Sequence, residues 1–206
     1  MKYYGQFELD KVLHQRYFQN KRNGFFVECG AYNGITECTC LFFEKYLGWT
    51  GINIEPLPEI FERLKTNRPN STNLNVALSN QDVVATFTQA VHPELGMNFG
   101  NGSLSHTQDH KNQLVKIGCT FKEYKVQCKR FVDVFENQRE IDLFVLDVEG
   151  HELSAIEGIL KIDEKCLPKV FCIEFPQSGL DNIKQALSKH YNFDMKSHHN
   201  AMFVRA

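Results

Sequence analysis

Short apolar runs alternate with amphipathic stretches along most of this chain, and this alternation constrains the fold more than any other feature. The most apolar run is 142–147, and residues 153–160 behind it carry Leu and Ile at helical spacing. Further strands are predicted at 24–28, 51–55, 74–78, 170–175, 191–195 and 201–205, helices at 35–47, 57–64 and 180–187, and a short strand leading into a helix at 126–135. Strands that alternate with helices form a parallel sheet covered on both faces. The sequence therefore predicts an α/β, doubly wound fold whose last two strands form a hairpin.

Charge and composition exclude several classes of protein. The 206 residues include 23 Lys and Arg against 25 Asp and Glu, and this near-balance disfavours a dedicated nucleic-acid binder. No apolar run approaches the roughly 20 residues that span a bilayer, and no apolar stretch typical of a secretory signal follows Met1. The 7 Cys residues form no C-x-x-C pair and are interpreted as reduced thiols. We expect a cytoplasmic protein that binds neither nucleic acid nor membranes.

The length fits a single domain over residues 1–206. Residues 4–20 are amphipathic and predict an N-terminal helical segment. A lid-like insertion at about 83–125 interrupts the alternation: 83–88 predicts an extra strand, and 92–113 is a polar stretch without a predicted element. Stretches of this kind are often lids or binding loops, but a surface insertion without function has the same composition, so both interpretations stay open.

The turn after the first strand, residues 28–34 (ECGAYNG), is the first place to expect a ligand. Ligands of open α/β sheets bind beyond the carboxyl ends of the strands, where the strand order reverses. A pyrophosphate requires Gly-x-Gly-x-x-Gly, but Tyr32 stands at the second glycine position and Glu28 adds negative charge. A phosphate-free nucleoside with a cationic part fits better, and S-adenosylmethionine (SAM) carries both an ammonium and a sulfonium group.

Glu55 strengthens this interpretation. It ends the second predicted strand, about 20 residues beyond Gly34, which is the spacing at which an acid meets a ribose diol. One carboxylate accepts hydrogen bonds from both ribose hydroxyls. A single strand-end Glu is often only a solvated side chain, but together with the first turn Glu55 favours a nucleoside site.

The hexapeptide 147–152 (DVEGHE) follows the most apolar strand and places four titratable groups in a short turn. Acids in the first turn of a helix are favoured by the helix dipole without any chemistry. Four such groups nevertheless exceed what capping needs. We interpret Asp147 as functional, whereas Glu149, His151 and Glu152 remain open between structural and functional roles.

Five stretches of the chain resemble the FkbM-type SAM-dependent methyltransferases. These are residues 25–34, 47–52, 54–58, 141–143 and 146–152, and the likeness continues in order from about residue 24 to 174. The resemblance implies a seven-stranded class I methyltransferase fold, Rossmann-like, with an antiparallel last strand at 201–205. It also implies SAM as the methyl donor and S-adenosylhomocysteine (SAH) as the product.

The resemblance further implies which residues hold the cofactor. SAM is expected to contact the turn and the second strand end, with the adenine near the third strand; the predicted residues are Glu28, Gly30, Ala31, Tyr32, Asn33, Gly34, Glu55, Ala77 and Leu78. Members of the family methylate hydroxyls of sugars or natural products, and some methylate amide nitrogens in peptides. Tyr32 departs from the family, in which a small polar residue is common, so a different loop geometry is expected there.

The predicted activity is O-methylation of a hydroxyl on a sugar, polysaccharide or natural product. His151 is the first candidate for the general base because its ordinary pKa of about 6.5 suits proton transfer at neutral pH, with Glu149 second and Asp147 positioning donor or acceptor. N-methylation of a peptide or small-molecule amide or amine, and a non-catalytic binding module, are the alternatives. A dinucleotide-dependent oxidoreductase has a similar strand-turn-helix, but Tyr32 and Glu28 disfavour its pyrophosphate.

The sequence shows no dedicated metal spacing. Asp147, Glu149 and Glu174 offer oxygen ligands, yet we predict no obligatory metal. His106 and His110 lie in the polar insertion and are interpreted as bystanders. The expected partner is a small-molecule or saccharide acceptor, and the oligomeric state is not predicted.

Overall fold

A seven-stranded, mostly parallel sheet forms the centre of the protein. The computed structural model describes residues 1–136 and 139–206. Its strands are β1 (Phe25–Cys29), β2 (Thr50–Ile54), β3 (Thr72–Leu74), β4 (Ala77–Leu78), β5 (Val83–Val91), β6 (Gly102–Ser103), β7 (Thr120–Lys129), β8 (Leu143–Leu146), β9 (Val170–Glu174), β10 (Tyr191–Ser197) and β11 (Asn200–Arg205). The order in the central sheet is β10-β11-β9-β8-β1-β2-β3, and β11 runs antiparallel to both of its neighbours. The predicted α/β fold with an antiparallel last strand is confirmed.

Seven α-helices accompany the strands within the described residues. They are α1 (Leu9–Leu13), α2 (Leu41–Leu47), α3 (Pro58–Asn67), α4 (Gln108–Lys116), α5 (Phe131–Val134), α6 (Glu152–Ile159) and α7 (Leu180–Leu187). α1 continues into a π-helical turn at His14–Phe18, which lies inside the predicted N-terminal segment. None of the helices described is long and apolar enough to cross a membrane.

Alternate residues of each central strand pack on opposite faces of the sheet. In β1, Val27 joins one apolar cluster with Phe144 and Ile156, whereas Phe26 joins a second cluster on the other face with Trp49. Both faces are buried, which explains why the strands appear in the sequence as nearly continuous apolar runs. The same alternation places Glu28 on the Phe26 face.

A second, four-stranded sheet in the order β4-β7-β5-β6 covers part of the carboxyl edge of the central sheet. The single predicted strand at 74–78 is wrong, because it is split between the two sheets. Leu74 ends β3, which pairs with β2, whereas Ala77 begins β4, which pairs with β7. Between them the Asn75 amide donates to the carbonyls of Glu55 and Pro56, and this ends the pairing with the central sheet.

The predicted helix at 35–47 is correct only in its second half, since α2 begins at Leu41. The amide of Cys40 donates to Oε1 of Glu28 at 3.0 Å, and this tertiary contact holds residues 35–40 in turns. Gly48 has φ 68° and ends the helix in the predicted left-handed cap.

The polar stretch 92–113 is more ordered than expected. It contains β6, a 3-10 turn at Met97–Phe99 and the first half of α4. Thr107 caps α4 by accepting from the amide of His110, and only His110 and Leu114 of that helix are buried. Because so few of its positions are apolar, α4 leaves almost no hydrophobic periodicity in the sequence.

Candidate active site

A cavity of about 470 Å³ opens at the carboxyl edge of the central sheet, where the strand order reverses between β1 and β8. Cavities of roughly 300–1,000 Å³ typically hold small molecules. Its lining includes ten of the residues predicted from the sequence: Glu28, Gly30, Tyr32, Glu55, Ala77, Leu78, Asp147, Glu149, His151 and Glu174. Ala31, Asn33, Gly34 and Glu152 are not part of the lining. The site therefore lies at the predicted edge of the sheet.

Two glycines allow the turn after β1 to approach its neighbours. Gly30 has φ +85°, and a Cβ there would lie 1.9 Å from the carbonyl oxygen of Asp147. Gly34 has φ +79°, and its Cβ would lie 2.7 Å from Cγ of Arg68. A side chain at either position would collide as well as strain the backbone.

The carboxylate of Glu28 is engaged by the protein itself. Its Oε1 accepts from the Cys40 amide, and its Oε2 lies 3.1 Å from the Cys38 thiol and 3.5 Å from Nη1 of Arg68. Burial raises the pKa of Glu28, although Arg68 opposes the shift. These contacts hold residues 38–40 against the sheet, and contact between Glu28 and SAM stays a prediction.

Glu55 and the hydroxyl of Tyr32 are polar groups at one end of the cavity. Oε1 of Glu55 accepts from the amide of Leu57 at 2.9 Å, and burial raises the pKa of this carboxyl to about 7. The Tyr32 hydroxyl is buried without a hydrogen-bond partner among the described residues. Two ribose hydroxyls would donate to Glu55, so this end of the cavity fits a nucleoside.

The wall next to Glu55 is apolar. Leu57, Val76, Ala77 and Leu78 line the cavity there, and Leu57, Ala77 and Leu78 are buried. A flat heteroaromatic base gains hydrophobic stabilisation against such a wall. The predicted adenine position is therefore compatible with the structure.

Tyr32 adopts φ 48°, in the left-handed region that is unusual for a residue with a Cβ. Its ring packs against the cluster that includes Leu57 and Phe87, so it bridges the first turn and the second sheet. Tyr32 stands where the family commonly has a small polar residue, and its left-handed backbone and packed ring are what this difference looks like in the structure.

Three carboxylates meet at the other end of the cavity. Asp147 follows β8, Glu174 ends β9, and Glu149 comes two residues after Asp147; one oxygen of each lies within 4.8 Å of the others. Burial, reinforced by repulsion between the negative groups, raises the pKa of all three. Oε2 of Glu174 is buried and has no hydrogen-bond partner among the described residues.

The turn between β8 and α6 has an unusual backbone conformation at Glu149. Glu149 and Gly150 both have positive φ, 53° and 101°. Glu152 stabilises this turn, because its carboxylate accepts from the amides of Val148 and Gly150 and from the Ser178 hydroxyl. Glu152 is fully buried and its role is structural, which resolves one of the alternatives left open by the sequence.

His151 lines the cavity, but both of its ring nitrogens are paired. Nδ1 lies 2.7 Å from the hydroxyl of Ser105, and Nε2 lies 3.0 Å from that of Ser79. Burial lowers the pKa of His151, so the imidazole is neutral at pH 7. The ring connects the insertion to the segment after β4, and neither nitrogen is free to accept a proton from an acceptor without breaking one of these bonds.

Several lining residues carried no recognisable pattern in the sequence. They come from the insertion, from the chain ends and from the segment between β1 and α2, and include Gln6, Glu37, Gln89, Asn98, Asn101 and Asn200. His110 was interpreted as a bystander, yet its Nδ1 lies 3.9 Å from Oε2 of Glu149. His106 packs its ring 5.1 Å from that of His110, and burial lowers its pKa to about 4.

The cavity is rich in acidic side chains, since Glu37, Glu55, Asp147, Glu149 and Glu174 all line it, and a bound cation favours their ionised forms. A cationic nucleoside is favoured by this charge, whereas a pyrophosphate is repelled. The strand order, the glycine turn and the acid that ends β2 define a class I, SAM-dependent methyltransferase.

Comparison with known proteins identifies the family. The Methyltransferase FkbM domain matches residues 28–197, and the chain belongs to this family of SAM-dependent methyltransferases. No curated protein sequence is significantly similar to the chain.

Solved structures share the fold at low sequence identity. The METTL16 MTase domain has a TM-score of 0.50 and 10% identity, covering 96% of this chain and 66% of that one. A TehB-like SAM-dependent methyltransferase from Corynebacterium glutamicum has a TM-score of 0.49 and 11% identity, over 96% and 86% of the two chains. Ribosomal protein L11 methylase from Lactobacillus delbrueckii has a TM-score of 0.48 and 14% identity, covering 97% of this chain and 77% of that one. These likenesses concern the fold alone.

Proposed function

We propose that this enzyme transfers a methyl group from SAM to a hydroxyl of a neutral, polyhydroxylated acceptor such as a sugar, a polysaccharide unit or a related natural product. One observation carries the proposal: five side-chain amides line the same cavity as the carboxylates, namely Gln6, Gln89, Asn98, Asn101 and Asn200. Amides offer both donors and acceptors, which is what hydroxyl groups require. Phe87 adds an apolar surface to the same wall.

In this proposal the cofactor lies along the turn after β1. Glu55 accepts from the ribose, Ala77 and Leu78 contact the adenine, and the turn residues from Gly30 to Gly34 shape the space for the remainder. Bound there, SAM supplies an electrophilic methyl group, whose carbon–sulfur bond breaks with the electron pair going to sulfur. The negative cavity favours the cationic donor over the neutral product SAH.

The acceptor oxygen forms the new bond to carbon and loses its proton, so a residue of the protein must receive that proton. Glu149 is the better candidate, because its carboxylate lines the cavity whereas both ring nitrogens of His151 are paired. His151 holds the insertion in place through Ser105 and Ser79. Asp147 orients the donor or the acceptor.

The negative charge of the cavity favours a second candidate, N-methylation of a cationic amine. A protonated amine is attracted to Asp147, Glu149 and Glu174, but it must lose its proton before it attacks the methyl group. The carboxylates that bind it are also the groups that would take the proton. The amide lining fits either acceptor, so the distinction requires experiment.

Calorimetric titration with SAH, followed by an acceptor screen with methyl-labelled SAM, tests the proposal. The screen should pair each sugar with the matching amino sugar. We expect label on the oxygen of the neutral sugars, located by mass spectrometry. Exclusive labelling of nitrogen would replace the first candidate with the second, and failure to bind SAH would contradict the cofactor site.

A further inference from the structure

The three carboxylates of the cavity have no basic side chain to balance them. Asp147, Glu149 and Glu174 present oxygens within 4.8 Å of one another. Among the ion pairs formed by residues 1–136 and 139–206, only a histidine, His110, reaches any of the three. Buried negative charges normally require a cation or a metal ion nearby. The carboxylate cluster therefore needs a cation that the described residues of the protein do not supply.

His110 provides an independent observation at the same place. Its side chain is only 8% exposed, and Nδ1 is buried without a hydrogen-bond partner among the described residues. Nε2 lies 3.1 Å from Oδ1 of Asn101, and this contact fixes the plane of the ring. Nδ1 points toward Oε2 of Glu149, at 3.9 Å. A histidine held by one nitrogen, with the other facing a carboxylate cluster, has the arrangement of a metal ligand.

The spacing of the oxygen atoms fits a small divalent cation. Around one such ion at about 2.1 Å, adjacent ligand atoms are about 3 Å apart and opposite ones about 4 Å apart. The observed limit of 4.8 Å requires small movements of the carboxylates, and Nδ1 of His110, which lies outside this set of three, must also move closer. The three carboxylates favour hard cations such as Mg²⁺ or Mn²⁺ over thiolate-preferring metals.

We propose that Asp147, Glu149 and Glu174, together with Nδ1 of His110, bind one divalent cation, Mg²⁺ or Mn²⁺, in the acceptor part of the cavity. The role of the cation rests on the proposed function: it holds the acceptor hydroxyl and lowers its pKa, and the second oxygen of Glu149, which does not bind the cation, receives the proton. Binding itself does not depend on the acceptor. The inference opposes the sequence-based expectation that no metal is obligatory, and the experiment below decides between them.

Titration of the chelator-treated, full-length protein with Mn²⁺, followed by electron paramagnetic resonance, tests the site directly. We expect one saturable ion per chain with a dissociation constant of about 10⁻⁴ M or tighter. Glu174→Gln and Asp147→Asn should each weaken binding at least tenfold. Glu164→Gln is the matched control, because Glu164 is 82% exposed and lies outside the cavity.

Electron spin echo measurements detect a nitrogen ligand of the bound Mn²⁺, and so test His110 independently of the carboxylates. The bound Mn²⁺ should show nitrogen modulation in the unmodified protein, and His110→Leu should abolish it. The cooperative thermal unfolding of each variant establishes that it is folded, and the spectrum of the unmodified protein tests the site even if a variant is not.

Absence of saturable Mn²⁺ binding at millimolar concentrations would overturn the proposal, as would equal binding by Glu174→Gln and Glu164→Gln. Nitrogen modulation that is absent from the unmodified protein or survives in His110→Leu would overturn the assignment of His110. None of these results depends on methyl transfer. O-methylation that persists in excess chelator would remove the cation from the reaction while leaving the proposed acceptor class intact.

Discussion

At the scale of single residues, Glu55 is subject to opposing demands of ligand binding and stability. Glu55 is 6% exposed, and burial raises its pKa without an opposing cation nearby. The folded protein therefore holds the proton of Glu55 up to about pH 7, whereas the unfolded chain releases it near the ordinary value of 4.5. The stability associated with this group is complete below pH 4.5 and is lost as the pH rises to 7.

Glu55→Gln should separate these two demands. Relative to the unmodified protein, the free energy of unfolding of the variant should rise between about pH 4.5 and 7, by about 3 kcal/mol in total. Its affinity for SAH should fall about 10- to 100-fold, because the amide accepts less strongly from the ribose. Urea unfolding across this pH range and calorimetry measure the two effects. An unchanged SAH affinity would contradict the ribose assignment.

Substitutions of Glu149 and His151 show which of the two residues is the general base. Glu149→Gln should lower kcat about 10²- to 10⁴-fold while leaving SAH affinity nearly unchanged, because it removes a proton acceptor. His151→Gln, which retains hydrogen-bonding groups, should lower kcat much less. Steady-state kinetics with the acceptor found by screening provide the measurement. The reverse order of effects would restore His151 as the base, as the sequence predicted.

At the scale of elements, Arg68 connects the end of α3 to α2 and to the turn after β1. It is fully buried, with Nη2 2.6 Å and Nε 2.8 Å from Oε2 of Glu44 and Nη1 3.5 Å from Glu28. Nη1 also lies 3.4 Å from the carbonyl of Gly34. One guanidinium group thus balances two acids and fixes the loop that supports the cofactor turn.

Arg68→Met should destabilise the protein by about 3–5 kcal/mol, because it leaves the buried Glu28 and the partly buried Glu44 without a cation. The matched control is Lys65→Met on the same helix, whose exposed pair with Glu62 contributes about 1 kcal/mol or less. Thermal and urea unfolding measure the difference between the two variants. Equal losses would show that the buried network is not required for folding.

The sequence predicts most elements of the central sheet, because their periodicity is local. In β1, Phe26 and Val27 pack on opposite faces of the sheet. Because both faces are buried, the residues of this strand form an apolar run in the sequence. The failures have long-range causes. Residues 35–40 have helical spacing but turn toward Glu28, and residues 74–78 divide because two sheets compete for them.

The site shows the same limit. Gly30 and Glu55 were predicted because their spacing along the chain is diagnostic. The pairing of Glu28 with Arg68 was not predicted, because Arg68 lies far along the chain and no local pattern indicates it. His110 was dismissed because its proximity to Glu149 exists only in the folded structure.

At the scale of the whole molecule, the cavity is shared by two sheets with different roles. The central sheet supplies Glu55, Asp147 and Glu174, whereas the insertion supplies Gln89 and Asn101. The insertion is joined to the central part through His151, whose ring contacts Ser105 on one side and Ser79 on the other.

Ser105→Ala should loosen the insertion without disturbing the central sheet. Amide hydrogens of residues 102–107 should exchange faster, while those of β1, β8 and β9 keep their protection, because local openings are independent of global unfolding. Ser188→Ala, which removes an exposed hydroxyl bond at the end of α7, is the control. Hydrogen exchange followed by mass spectrometry provides the measurement, and faster exchange throughout the sheet would contradict a local role.

The split of strands between two sheets also affects how such an enzyme diversifies. The long β5–β7 pairing, from Val83 opposite Cys128 to Val91 opposite Thr120, is outside the sheet that grips the nucleoside. This ribbon still contacts the proposed nucleoside end, because Phe87 packs with Leu57 and Ala77. An exchange of residues 83–125 between related enzymes must therefore keep an apolar side chain at position 87, while the other positions of the ribbon are free of that requirement.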